Sequence, residues 1–289
     1  MIFKGSGVAL ITPFNETGVD FSKLGELLEF HLNNRTDAII SCGTTGEAAT
    51  MTEEEKIAVI DYTLKKVNGK IPVIVGAGSN NTKEAIRFSK IVSSMGVDAI
   101  LSVCPYYNKA SQNGLYAHFE AIAKSVDTPI ILYNVPSRTG VNINPETVLK
   151  LSKIPNIVAI KECNFSQVAK IRKLCGENFA IYSGNDDQIV PMLSLGASGV
   201  ISVLANILPK ETHNMCYEFF NKNIEKALQI QLDTLDLVDC LFCEVSPAPI
   251  KEALNLIGTN VGKCRLPLVD MEPSNILKLK NAIKNCGLL

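Results

Sequence analysis

The chain has 289 residues, 46% of them apolar and 20% charged, with 28 basic residues against 29 acidic and a net charge of -1. A chain of this length buries roughly three quarters of its unfolded surface without disulfide staples, and its balanced charge leaves no electrostatic footprint for nucleic acid or an anionic membrane. No run approaches the ~18 consecutive apolar residues of a spanning helix, and Met1-Ile-Phe-Lys-Gly5 lacks the basic region and apolar stretch of a leader, which points to the cytoplasm.

Read from the amino terminus, short β-rich apolar runs recur. The first four are Gly7-Val-Ala-Leu-Ile11, Asp37-Ala-Ile-Ile-Ser-Cys42, Ile71-Pro-Val-Ile-Val75 and Val97-Asp-Ala-Ile-Leu-Ser-Val103. Pro129-Ile-Ile-Leu-Tyr133, Asn156-Ile-Val-Ala-Ile160, Phe179-Ala-Ile-Tyr182 and Ser198-Gly-Val-Ile-Ser-Val203 bring the number to eight. The runs are nearly continuous rather than alternating, as parallel strands buried on both faces should be. Helical patterns fill the gaps. Thr52-Glu-Glu-Glu55 sets three acids in a first turn, where the macrodipole favours them. Asn81-Thr82 opens another helix, and Asn144-Pro145 puts proline at a first helical position, where its missing N–H costs little. Strands alternating with helices in this way predict an α/β fold, a (β/α)8 TIM barrel. An open, doubly wound sheet is the competing arrangement.

From about Pro209 onward the apolar spacing turns helical and no strand punctuation returns. The pattern predicts a catalytic barrel over 1–224 and a C-terminal helical region over 225–289 with two or three helices, interrupted at Ser246-Pro247-Ala-Pro249 and at Pro267. Nine cysteines, most of them inside apolar runs, read as small buried hydrophobes in a reducing compartment. Cys240-Leu-Phe-Cys243 is the one close pair. It lacks a second such pair, and His31, His118 and His213 stand alone, so no metal centre is expected and the pair reads as two core cysteines on a helix wall.

In a barrel the reactive groups gather at the carboxyl ends of the strands. Those positions hold Gly43-Thr44-Thr45-Gly46-Glu47, Pro105-Tyr106-Tyr107-Asn108, Tyr133-Asn134 with Arg138 beyond it, Lys161-Glu162 and Ser183-Gly184. Lys161 carries the most information, because it directly follows the apolar run Ile157-Val-Ala-Ile160. A free lysine is almost wholly ammonium at neutral pH. Burial lowers its pKa and frees an amine able to attack a carbonyl. The plainer alternative is a strand-end lysine paired with Glu47, Glu162 or Asp187. Schiff-base chemistry also needs proton traffic, for which Tyr133 is a suitable donor and acceptor and Thr44 and Tyr107 a relay to solvent. The Gly and Thr residues after the second strand offer N–H groups and hydroxyls to a carboxylate.

Together, Gly43-Thr-Thr-Gly-Glu47, Tyr133-Asn-Val-Pro136, Ser137-Arg-Thr-Gly140 and Lys161-Glu162 resemble the pyruvate-dependent class I aldolases of the dihydrodipicolinate synthase and N-acetylneuraminate lyase family. The resemblance spans essentially the whole chain. It implies that Lys161 forms a Schiff base with pyruvate, whose carboxylate rests on Thr44 and Thr45. It implies further that Tyr133 moves the protons and that Arg138 binds the carboxylate of aspartate semialdehyde, a task suited to a planar guanidinium. Ile201 and Gly184 would line the pyruvate pocket. Tyr107 would enter from a neighbouring subunit, in a homo-oligomer built as a dimer of dimers. The resemblance implies no cofactor beyond the covalent lysine adduct, and a place in diaminopimelate and lysine biosynthesis.

Feedback-inhibited members bind lysine at the dimer interface, and Ala49, Asn80, Glu84 and Tyr106 match that effector pattern. Ala48, Glu53 and Lys56 depart from it. A Lys56 cation would repel a cationic ligand, so inhibition should be weak or absent. Two other readings compete with the condensation. One keeps the lysine chemistry with a sialic-acid or keto-deoxy-sugar acceptor, against which Arg138 argues. The other is a non-catalytic barrel that binds a keto acid.

Overall fold

The computed structural model describes residues 1–289. Its first strand, β1 (Gly5–Ala9), leads into a small antiparallel hairpin, β2 (Phe14–Asn15) and β3 (Gly18–Val19). Then β4 (Ala38–Ser41), β5 (Val73–Gly76), β6 (Ala99–Val103) and β7 (Ile130–Asn134) follow. The last three strands are β8 (Ile157–Glu162), β9 (Ala180–Ser183) and β10 (Gly199–Ser202). All but the hairpin strands join into one closed barrel in the order β1-β10-β9-β8-β7-β6-β5-β4, and every barrel pair is parallel. Each of the eight apolar runs becomes a strand, and closure excludes the open sheet. The hairpin has no sequence counterpart because two-residue strands are too short to show a period.

The helices between strands are α1 (Phe21–Asn33), α2 (Glu53–Val67), α3 (Thr82–Ser94) and α4 (Gln112–Ala123), then the single turn α5 (Pro136–Thr139). They continue as α6 (Pro145–Leu151), α7 (Val168–Cys175), α8 (Ile189–Ser194) and α9 (Pro209–Phe220). Their starts follow local chemistry. Thr52 and Glu55 form a reciprocal capping box on α2, Asn81 caps α3 by accepting from the Lys83 amide, and Pro145 occupies the first turn of α6.

Four helices follow, rather than two or three: α10 (Ile224–Asp233), α11 (Leu235–Leu241), α12 (Ala248–Leu256) and α13 (Pro273–Asn285). The first three are short, and Thr234 alone separates α10 from α11, so their patterns merge in the sequence. The cysteine pair is not a core feature: α11 stops at Leu241, leaving Cys240 half-buried and Cys243 exposed.

Strand side chains alternate between two cores. Val8, Ile39, Val75, Ile100, Leu132, Ile160 and Val200 point outward into the layer under the helices. Ala9, Ile40, Ile74, Leu101, Ile131, Ala159 and Tyr182 point inward and fill the barrel. Phe3 closes the floor, its ring stacked on Tyr182 at 4.3 Å. Gly7 leaves it room, since a Cβ there would lie 2.6 Å from Ile40 and 2.8 Å from Phe3. The barrel is thus packed below and free to hold chemistry only at its upper end.

Candidate active site

Period-two alternation carries Tyr133, Lys161 and Ile201 to the uppermost inward layer. Tyr133 and Lys161 are direct partners across β7 and β8, so their side chains rise side by side, with the Lys161 Nζ 4.6 Å from the centre of the Tyr133 ring. Both are buried, Lys161 at 6% and Tyr133 at 7% exposure, and Ile201 lies beneath at 1%. Gly184 follows β9 directly above. A Cβ there would sit 2.3 Å from the Cys163 Sγ and 3.3 Å from the Lys161 Cε, so a side chain would displace the thiol and crowd the lysine stem.

Lys161 forms no ion pair. Glu47 is paired with Lys251 instead, Asp187 is exposed, and Glu162 faces the opposite side of β8. Burial therefore lowers the Lys161 ammonium below the ordinary lysine range, assisted by the Arg138 charge and opposed by Cys163 and Asp186. The same dry surroundings raise the Tyr133 phenol, with Cys163 adding to the effect and the Arg138 charge opposing it. Cys163 is pushed up to about 11 by burial, with Lys161 pulling the other way. At neutral pH the site thus holds a protonated phenol and thiol beside an amine whose charge burial disfavours.

Glu162, one residue on, explains why the ends of β7 and β8 stay in register. It is fully buried with no cation beside it, and its carboxylate accepts from Asn134 Nδ2 at 2.8 Å, Asn164 N at 2.7 Å and Gln167 Nε2 at 2.8 Å. Burial still raises it to about 7.

A cavity of about 670 Å³ opens above this layer. Thr44, Tyr133 and Arg138 line it, whereas Lys161, Ile201 and Gly184 do not. Thr44 is exposed to the cavity and Thr45 is buried in the loop beside it. Arg138, on α5, is exposed and donates to the Ser246 carbonyl at 3.3 Å. The same cavity reaches Ala49, Glu84 and Tyr106. Asn80 borders that end, donating to the Tyr106 carbonyl at 3.2 Å. Here Arg87 pairs with both Glu84, at 3.0 Å, and Glu53, and the Lys56 ammonium lies 5.2 Å above the Phe88 ring. Tyr107 is not brought to the site within the single chain; it stands 89% exposed in the left-handed conformation.

Sequence reasoning missed two parts of this site. Val245, Ser246, Pro247, Pro267 and Leu268 of the C-terminal region form one wall. Their prolines were visible as interruptions, but nothing local says which surface a break faces. Cys163 reads as a buried hydrophobe, yet its Sγ and the Lys161 Cε both crowd the position of Gly184, a proximity set by the neighbouring strand. No group of His, Cys, Asp and Glu side chains is arranged to hold a metal ion, and no helix is long and apolar enough to cross a membrane.

The dihydrodipicolinate synthetase family model matches residues 2–286. A protein of Acetivibrio thermocellus named 4-hydroxy-tetrahydrodipicolinate synthase is 57% identical over 288 residues, covering 100% of this chain and 99% of that one. The dihydrodipicolinate synthase structure from Aquifex aeolicus superposes with a TM-score of 0.96 at 45% identity, covering 99% of both chains. That from Cyanidioschyzon merolae, described with lysine bound, gives 0.97 at 43% identity, covering 100% of this chain and 99% of the other.

Proposed function

The chain belongs to the dihydrodipicolinate synthetase family, and from that premise we propose how its own residues carry the reaction. The protein is a lyase that condenses pyruvate with L-aspartate 4-semialdehyde to 4-hydroxy-tetrahydrodipicolinate, a step of diaminopimelate and lysine biosynthesis. One observation supports the assignment of roles above the rest: a buried, unpaired Lys161 lies beside Tyr133, and Tyr133 lines the cavity.

In this reading the neutral Lys161 amine attacks the pyruvate ketone, and the Tyr133 phenol protonates the departing hydroxyl as water leaves. The resulting iminium withdraws electrons, so a methyl proton passes to the Tyr133 phenolate, restoring the phenol, and an enamine forms. Its carbon attacks the aldehyde of the semialdehyde, whose own amine then closes the ring at the former ketone carbon and expels Lys161. The iminium is the electron sink, so the scheme calls for no cofactor. Thr44 and Thr45 hold the pyruvate carboxylate, with Ile201 and Gly184 beneath it, and Arg138 holds the carboxylate of the semialdehyde. Thr44 and Tyr107 relay protons to solvent.

Tyr107 reaches solvent rather than this site, which supports its delivery to a partner subunit. An apolar stripe supports a further interface of a dimer of dimers: Ile224, Leu228 and Leu232 stand exposed four residues apart on α10. Residues 1–224 form the catalytic barrel of this reading and 225–289 the helical region that walls it. Nine free cysteines, with no disulfide among them, fit a cytoplasmic enzyme.

Pyruvate consumption tests the reading. It should require the semialdehyde and vanish in Lys161→Ala, and borohydride should trap a pyruvate adduct on Lys161 alone. Trapping without consumption would move the acceptor to another aldehyde. The absence of both would end the Schiff-base assignment.

A further inference from the structure

The Gly43–Glu47 loop is bracketed by two left-handed non-glycine residues, Cys42 at φ 52° and Glu47 at φ 54°. Such conformations persist only where the surroundings over-determine them. The barrel supplies one restraint, the Thr12 hydroxyl donating to the Gly46 carbonyl at 2.7 Å. The carboxylate of Glu47 is held entirely from the C-terminal region. Its Oε1 lies 2.6 Å from the Lys251 Nζ on α12, and its Oε2 accepts from the Arg265 amide at 2.9 Å.

This pair is out of water, with side chains 2% and 1% exposed. The lysine is itself fixed, donating to the Lys263 carbonyl at 3.1 Å and lying 4.2 Å from the centre of the Phe14 ring. A buried ion pair is weak evidence for stability, since well-packed apolar residues often do as well or better. Its position is more telling, because Glu47 closely follows the two threonines read as the pyruvate cradle. The Glu47 amide closes the loop on itself, donating to the Thr44 carbonyl at 3.1 Å.

We propose that Lys251 is a positioning residue for pyruvate: through Glu47 it holds the Thr44–Thr45 segment in the shape that receives the substrate carboxylate. The inference rests on the assignment of that carboxylate to Thr44 and Thr45, and it gives the C-terminal region a part in the chemistry of the opposite wall. Arg138 touches the same region at Ser246, a separate contact, so the two substrates should respond differently.

Lys251→Met alone leaves a buried Glu47 charge without its partner, so its folding is at risk. The decisive variant is Glu47→Gln/Lys251→Met, which removes both charges, keeps an acceptor for the Arg265 amide and separates packing from tethering. Circular dichroism and thermal melting establish that it folds. Two quantities are then compared with the parent: half-saturation for each substrate, and hydrogen exchange over residues 43–50. The proposal expects pyruvate half-saturation to rise about tenfold or more with the semialdehyde value little changed, and faster exchange over 43–50. A folded double variant with parental pyruvate half-saturation, or with parental exchange in that segment, would overturn it. A parent enzyme that consumes no pyruvate would instead sink the reading of the reaction, while the exchange measurement would still decide whether Lys251 holds the loop.

Discussion

Lys161 and Tyr133 illustrate how environment assigns roles to ordinary side chains. The lysine is disfavoured as a cation because it is dry, and the phenol is disfavoured as an anion for the same reason. Tyr133→Phe keeps the ring that packs on Lys161 and removes only the hydroxyl. It should lower kcat by about 10²–10⁴-fold while pyruvate half-saturation changes little; steady-state kinetics at saturating semialdehyde check this, and an unchanged kcat would hand the proton to Cys163 or Thr44. A second residue-scale expectation concerns the far end of the cavity. Arg87 already pairs with Glu84 and Glu53, and Lys56 adds a cation beside them. Added lysine should therefore inhibit weakly or not at all, and an inhibition constant in the range of cellular lysine would contradict the charge argument. Lys161 was legible in the sequence because a charged residue ending an apolar run is conspicuous. Lys251 was not, since it stands in a helical stretch where a lysine every few residues is ordinary, and its partner Glu47 lies in the first barrel loops, far off in the chain.

At the scale of elements, the eight apolar runs were readable because both faces of each barrel strand are buried, which leaves little polar alternation to confuse the period. What could not be read is the content of the barrel's lower end. Phe3 precedes β1, and nothing in Met1-Ile-Phe-Lys says that its ring enters the barrel. The structure shows it buried at 6% exposure and stacked on Tyr182, whose hydroxyl donates to the Phe3 carbonyl at 2.7 Å. Deleting that ring leaves a hole in a floor built of strand side chains that cannot collapse. Phe3→Ala should cost about 3–5 kcal/mol, the usual range for a buried aromatic. Chemical denaturation with the pyruvate half-saturation measured in parallel checks it. A loss below about 1 kcal/mol would mean that the amino-terminal segment contributes little to closing the barrel.

For the whole molecule, the same burial that prepares the site sets the response to acid. His31 is fully buried on α1, held through Nδ1 to the Thr36 hydroxyl at 2.9 Å, and burial lowers its pKa to about 3. His118 on α4, in contact with Thr82 at 2.9 Å, is lowered to about 4 by the same cause. Both are neutral in the folded chain near neutrality and take up protons around 6.5 when it unfolds, so the unfolded state binds more protons below that pH. Their contribution is complete above about pH 6.5 and is lost as pH falls toward 4 and 3, at no more than about 1.4 kcal/mol per histidine for each pH step of one crossed. Glu162 acts in the opposite sense. Raised to about 7, it favours the folded state at low pH and loses that contribution as pH climbs from its ordinary value to 7. Asp186, raised by burial, joins it. The two histidines take up protons on unfolding across the window from pH 7 to pH 5, and together they outweigh Glu162 and leave the acid side less stable. The thermal midpoint should fall between pH 7 and pH 5, and His31→Asn should flatten that slope even though it lowers the midpoint at pH 7. A midpoint that holds or rises on acidification would show that the carboxyl groups outweigh the histidines, and that the polar network at the end of β8, rather than the helix layer, governs the acid limit of the fold.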